Sequence, residues 1–234
     1  KANVLFMLQY ATDSTIFEKA QEEDIAGITE LCIELFGKNN TASYETRLAQ
    51  YRANSEMFYM TKQDGVIVGY VGLFPLKQEA IDQIMSGMEE SKFRTGILNP
   101  ENILQFKQGE ADNTFLVIGV KQKLPKTKLY GARVIHGAVE VMEQFAKKGI
   151  IIKRLYGTSK TRDGIKLAKD LHFKQATSKS EQDDLLRFEL DIETTESLLF
   201  RDLQRLIKQT NSKSRKNKDN GVKTGENTLM PLHS

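Results

Sequence analysis

Lys126, Lys128 and Arg133 bracket a Gly131–Ala132 pair in the stretch KTKLYGARVIHGAVEVM, and an amphipathic pattern follows directly. Residues of these types in this order could hold a phosphate group. The first amides of a helix have no partner within it, and the helix dipole favours an anion there. Gly131 and Ala132 leave the backbone approachable, and the three basic side chains could add charge-assisted hydrogen bonds. The same residues also suit the solvated start of an ordinary helix, and the stretch alone does not separate the two.

Other chemistry-bearing residues are sparse. A single cysteine, Cys32, excludes an intrachain disulfide framework and a multi-thiolate zinc site, and its place on an apolar helical stripe reads as a small buried side chain. The three histidines are far apart, which leaves little for a histidine-rich metal site, so no metal is expected. His136 falls on the polar side of its helix with Glu140 and Glu143. Glu89 and Glu90 form a carboxylate pair after a predicted helix, where they either reach a cleft or face solvent. The C-terminal run Lys208, Lys213, Arg215, Lys216 and Lys218 could bind a polyanion, but it has no interleaved aromatics for base stacking. A nucleic-acid partner is therefore not expected.

The 234 residues carry 39% hydrophobic and 28% charged side chains and a net charge of +3, which is ordinary for a soluble globular chain with a sizeable core. No segment reaches the length of a membrane helix, and the apolar NVLFMLQY run lacks the flanks of a signal peptide. A cytoplasmic protein is the default expectation.

The elements that must position these residues follow from periodicity. STIFEKA alternates as a strand does, and EEDIAGITELCIELFG places Ile25, Ile28, Leu31, Cys32 and Leu35 on one helical face. SYETRLAQYRAN predicts a second helix with Ser43 as its cap. MFYMTKQDGVIVGYVGLFPL predicts a hairpin turning at Asp64–Gly65 and closed by Pro75. NTFLVIGV is a continuous apolar run, suited to a strand covered on both faces. A helix is predicted from about Tyr130 to Lys148, then a strand at IIKRLYGTS, a helix at TRDGIKLAKDL, a strand at LLRFELDI and an amphipathic helix at TESLLFRDLQRLIKQ. Residues 1–12 read as an N-terminal extension, 13–209 as one domain with an insertion at about 76–112, and 210–234 as a disordered polar tail. The insertion could wall a pocket with Met85, Met88, Phe93 and Ile97, or cover the sheet as extra core.

This order resembles the GNAT superfamily of acyl-CoA-dependent N-acyltransferases, over about Thr15 to Ile192. FEKAQEEDIAGITEL is similar to its first strand and helix, DGVIVGYVGLFPL to its hairpin, FLVIGV…LYGARVIHGAVEVM to its strand, pyrophosphate loop and helix, and GTSKTRDGIKLAKDLHF to its next strand and helix. The family pattern Gln/Arg-x-x-Gly-x-Gly/Ala falls on Lys128, Gly131 and Arg133, with lysine first and arginine at the small-residue position.

The resemblance implies an α/β (α+β) fold with a mixed, mostly antiparallel central sheet flanked by helices on both faces. It implies acetyl-CoA or another acyl-CoA as co-substrate, an amine acceptor, and pairing of two copies of the chain. It places Lys128, Gly131, Ala132 and Arg133 at the pyrophosphate, and Ile118 and Val120 against the pantetheine arm, with a backbone amide polarising the thioester carbonyl. The family's usual proton-donating tyrosine falls on Ala168, and His172 replaces the glycine of Leu-Gly-Phe. Tyr156, Ser159 or Thr161 could supply the proton instead, Glu90 could act as base, or the thiolate could leave without an acid. A catalytically inactive acyl-CoA-binding or ligand-sensing module, and a nucleic-acid-associated protein using the fold without cofactor, are the alternatives.

Overall fold

Asp64 and Gly65 both adopt positive φ, 52° and 78°, as the two central residues of a tight hairpin turn of matching twist do. This turn joins β2 (Phe58–Gln63) to β3 (Val66–Pro75), and Gln63 pairs with Val66 across it. The structure is a computed structural model that describes residues 15–122, 127–176 and 184–222. The N-terminal extension, Lys126 and the last residues of the expected tail lie outside the described residues.

β1 (Thr15–Lys19) precedes α1 (Ile25–Phe36) and α2 (Tyr44–Ala53). The Ser43 hydroxyl accepts the Thr46 N–H at 3.2 Å, the cap expected from the sequence. After the hairpin come α3 (Gln78–Met85), β4 (Asn113–Val120), α4 (Thr127–Lys147), β5 (Arg154–Ser159) and α5 (Arg162–Asp170). β6 (Lys174–Gln175), β7 (Leu186–Asp191) and α5's distant successor α6 (Arg201–Val222) complete the order. The two-residue β6 is too short to leave a periodic signal and was not expected. α6 runs to Val222, beyond the Thr210 at which the polar composition placed the start of a disordered tail.

The seven strands form one sheet in the order β1-β2-β3-β4-β5-β7-β6. Every neighbouring pair is antiparallel except β4 with β5. This is the mixed, mostly antiparallel sheet the sequence implied. Helices cover both faces. A β-carbon on Gly119 would meet Leu35 of α1 at 2.8 Å, whereas one on Gly69 would meet Val134 of α4 at 2.4 Å. Gly119 and Gly69 pair with Tyr70 and Val120, so the two glycines report opposite faces. Val134, Ala138, Met142 and Phe145 of α4 are buried, Ile135 is half-buried, and Leu203 and Ile207 of α6 are buried as well.

The insertion between β3 and β4 is both wall and core. Phe93, Ile81, Ile84 and Leu98 are buried. Phe93 meets Phe115 edge-on at 5.7 Å, and Phe106 stacks on Phe145 at 4.3 Å. Each such ring stabilises by about 1.5–3 kcal/mol through burial. Arg187 of β7, 1% exposed, donates to the carbonyls of Ile84 and Leu185 at 2.8 Å and of Met88 at 2.6 Å. Ile84 and Met88 belong to the insertion, so this buried cation ties it to the far side of the sheet.

Candidate active site

β4 and β5 run side by side for only part of their length. Their pairing covers Asn113–Phe115 against Arg154–Tyr156 and then ends. β4 continues to Val120 on β3, and β5 continues to Ser159 on β7. The two strands therefore part like the arms of a fork, with the closed end at Phe115 and Tyr156.

Hydrogen-bond alternation fixes which backbone groups face the opening. Leu76 N–H donates to Asn113 O, and Lys121 N–H donates to Val68 O. In an antiparallel pair, directly bonded partners alternate with unbonded ones. Asn113, Phe115, Val117, Gly119 and Lys121 thus bond to β3, while Ile118 and Val120 present their amides to the fork. The Leu116 carbonyl faces the same gap and lies 3.6 Å from where a β-carbon on Gly157 would sit. A β-strand with unpaired amides is a template for an extended chain.

A cavity of about 200 Å³ occupies the fork. Its floor is Phe115–Ile118 and Gly157–Ser159, and α5 contributes Gly164, Leu167, Ala168 and Leu171. Leu35 and Phe36 of α1 close another side, with Glu90 and Arg94 from the insertion. Glu90 is 8% exposed and takes a hydrogen bond from Arg94 Nε at 2.8 Å. Lys160, just beyond β5, lies 2.9 Å from its other oxygen. Burial opposes ionisation of Glu90, but Arg94 and Lys160 outweigh it and hold the carboxyl below the ordinary range. Arg94 also lies over the rings of Phe36 at 4.8 Å and Phe93 at 5.3 Å.

No family model and no curated protein matches the sequence. Solved structures do match the fold. The loading GNATL domain of CurA from Lyngbya majuscula gives a TM-score of 0.53 at 11% identity, over 77% of this chain and 99% of that one. GphF, a GNAT-like decarboxylase in complex with isobutyryl-CoA, gives 0.52 at 12% identity, over 75% and 98%. The chain has the GNAT fold. The parting of β4 from β5 is a feature that no periodicity could reveal.

The expected site residues divide on this frame. Ile118 lines the cavity; Val120 is not among the lining residues, although the strand alternation turns its amide to the fork side. Ser159 and Thr161 line it, with the Ser159 hydroxyl accepting the Thr161 N–H at 3.3 Å. Glu90 lines it as an ion-paired carboxylate, which makes it a weak base. Ala168 lines it too, so the missing hydroxyl is missing at the site itself. Tyr156 is not among the lining residues. Its hydroxyl donates to Asn113 Oδ1 at 3.4 Å at the closed end of the fork, and burial pushes its phenol up.

The pyrophosphate register needs revision. α4 begins at Thr127, a turn before the expected start. The amides of Lys128 and Leu129 fall in the first turn, ahead of the helix ladder. Gly131 and Ala132 lie in the second turn, where their amides join the helix ladder, and Ala132 is buried. Arg133 turns to the β1 side: its guanidinium lies 5.7 Å from the centre of the Phe17 ring and 3.6 Å from Glu140. Lys128 is exposed at the helix start. His136 pairs with Glu140 at 3.1 Å.

Sequence reasoning missed Arg47, Gln50, Arg94 and Lys160. The Glu90-x-x-x-Arg94 spacing was the one available signal, because residues four apart share a helical face. Arg47 and Gln50 sit in a polar predicted helix, yet they are 6% and 1% exposed.

Proposed function

We propose that the chain is an N-acyltransferase that takes its acyl group from acetyl-CoA or a related acyl-CoA and passes it to an amine. One observation carries this reading: the fork between β4 and β5, where the amides of Ile118 and Val120 face the gap with no strand partner among the described residues, beside an apolar cavity. An extended pantetheine arm, itself built of amides, fits such an edge as a strand would. The co-substrate's phosphates would then lie toward the first turn of α4, with Lys128 beside them. A fork amide aimed at the thioester oxygen stabilises the negative charge that develops there. The amine nitrogen forms the new C–N bond, the C–S bond breaks, and the amine's proton leaves for solvent or a nearby group. The thiolate is a tolerable leaving group, and Ser159 and Thr161, in the cavity wall, offer hydroxyls that could protonate it.

Two observations favour a second reading, a non-catalytic acyl-CoA-binding module. Ala168 offers no proton where it lines the cavity, and Glu90 is held ionised by two cations. Calorimetry with acetyl-CoA and with CoA tests both readings, and thiol release across an amine panel separates them. Saturable binding with turnover supports the transferase, and binding without turnover supports the module. Absence of binding at millimolar ligand removes both. No helix among the described residues is long and apolar enough to cross a membrane.

A further inference from the structure

Arg47 of α2 is a buried cation with no carboxylate against it among the described residues. The groups that act on it electrostatically are the Cys32 thiol and the Tyr70 phenol. Burial pushes both of those acids up, so both are neutral near pH 7 and leave the guanidinium uncompensated. Arg47 Nη1 donates to the Tyr70 hydroxyl at 3.3 Å, and the guanidinium lies 5.7 Å from the centre of that ring. Its Nε is buried without a hydrogen-bond partner. Nearby, Gln50 donates to the Leu98 carbonyl while its own Oε1 is buried without a partner.

These groups line a second, small cavity of about 20 Å³, enough for one small group. Arg94 lines it as well, using only Nε on Glu90 among the described residues. Two guanidiniums thus face a small space whose other walls carry no charge. Phe36, Arg94 and Val117 line both this cavity and the large one in the fork, so the two adjoin. Desolvating an unpaired guanidinium is unfavourable, and fold stability alone gives no reason to keep one. Its planar fork of donors matches a carboxylate.

We infer that the Arg47–Arg94 cavity binds a carboxylate carried by the acyl acceptor, which makes the acceptor an amino acid or a similar amino-carboxylate. The inference rests on the transferase reading for the word acceptor, while the carboxylate site stands by itself. The carboxylate enters the small cavity and its amine reaches back past Val117 toward the fork. Gln50 Oε1 is then available to the acceptor's ammonium or to a water beside it.

The test is thermal stability of the full chain, without CoA, against sodium propionate, β-alanine and L-glutamate. Propionamide and sodium chloride at equal ionic strength are the controls. A saturable rise in Tm with at least one carboxylate, absent with propionamide and chloride, is expected. Arg47→Met should abolish the rise while leaving the ligand-free Tm equal or higher, since it removes an unpaired buried charge. Arg47→Lys, which keeps the charge but loses the fork, should weaken binding at least about tenfold and serves if the methionine variant fails to fold. A rise that survives in both variants overturns the assignment, as does no rise with any carboxylate. An equal rise with chloride reduces the site to a general anion pocket and also overturns it. In thiol-release assays with acetyl-CoA, amino acids should outperform their carboxamides in wild type and not in Arg47→Met. If acetyl-CoA fails to bind while propionate still does, the transferase reading falls and the carboxylate site remains.

Discussion

Proline at position 118 should impair ligand binding while sparing the fold, and proline at position 117 should do the reverse. Ile118 N–H points into the fork and takes no part in the β3 ladder, whereas Val117 N–H donates to Gly72 O by the alternation fixed at Leu76 and Lys121. Proline is tolerated in a strand only where its missing N–H was not in the ladder. Ile118→Pro gives up part of a half-buried side chain, about 1–2 kcal/mol. Val117→Pro removes a buried ladder bond and leaves the Gly72 carbonyl unpaired, about 1–3 kcal/mol. To this it adds a ring clash and a lost apolar side chain, for a total of about 3 kcal/mol or more. With a urea slope of about 2–3 kcal/mol/M, Val117→Pro shifts the midpoint down by at least about 1 M and Ile118→Pro by about half that. In calorimetry, loss of one hydrogen bond worth about 0.5–1.5 kcal/mol weakens acetyl-CoA binding about 2- to 12-fold in Ile118→Pro. If that amide also polarises the thioester, turnover falls by about 10²–10³. Equal destabilisation by the two prolines would refute the assigned alternation. Unchanged affinity and turnover in Ile118→Pro would refute the fork amide as the recognition element.

Three further outcomes follow from the same structure. Arg187→Met should cost about 3–5 kcal/mol, because two buried carbonyls and one part-buried carbonyl lose a charge-assisted donor; urea unfolding checks it, and a loss under about 1 kcal/mol would show that the insertion is held by its apolar contacts alone. Glu90 has a depressed folded-state pKa, so its contribution is present above the ordinary glutamate value of about 4.3 and is lost as pH falls through the folded value; Glu90→Gln should therefore lower stability at pH 7 and flatten the acid limb of the stability profile, and an unchanged acid limb would contradict the pairing with Arg94 and Lys160. His172 holds φ at 66°, a conformation that favours glycine, so His172→Gly should stabilise by about 0.5–1 kcal/mol in thermal unfolding. A drop in Tm would instead assign His172 a structural contact.

The legible parts of this chain are those governed by local chemistry. Asp64–Gly65 demanded a tight turn, Ser43 a cap, and the apolar run at NTFLVIGV a covered strand, and each is present. His172 was noticed as a replaced glycine, and its left-handed backbone explains why a glycine would suit that place. The fork was not legible, because it consists of hydrogen bonds that β4 and β5 do not make. The burial of Arg47 was not legible either, since α2 has a polar sequence and the side chain is removed from water by tertiary packing, with Tyr70 of β3 against it. α4 starts at Thr127 rather than near Tyr130, which puts Gly131 inside the helix, a shift of register that composition does not encode. Lys160 meets Glu90 through tertiary packing across the site.

The insertion is rooted in one arm of the fork, between β3 and β4, yet Arg187 and Lys160 fasten it to the other arm, at β7 and just past β5. It therefore acts as a brace across the gap. The width of the gap is then governed by a segment that contributes no strand to the sheet. Lengthening or shortening that brace would change the space in the fork while leaving β4, β5 and their amides as they are. On the proposed function, selectivity for the acyl group could then change independently of the strands.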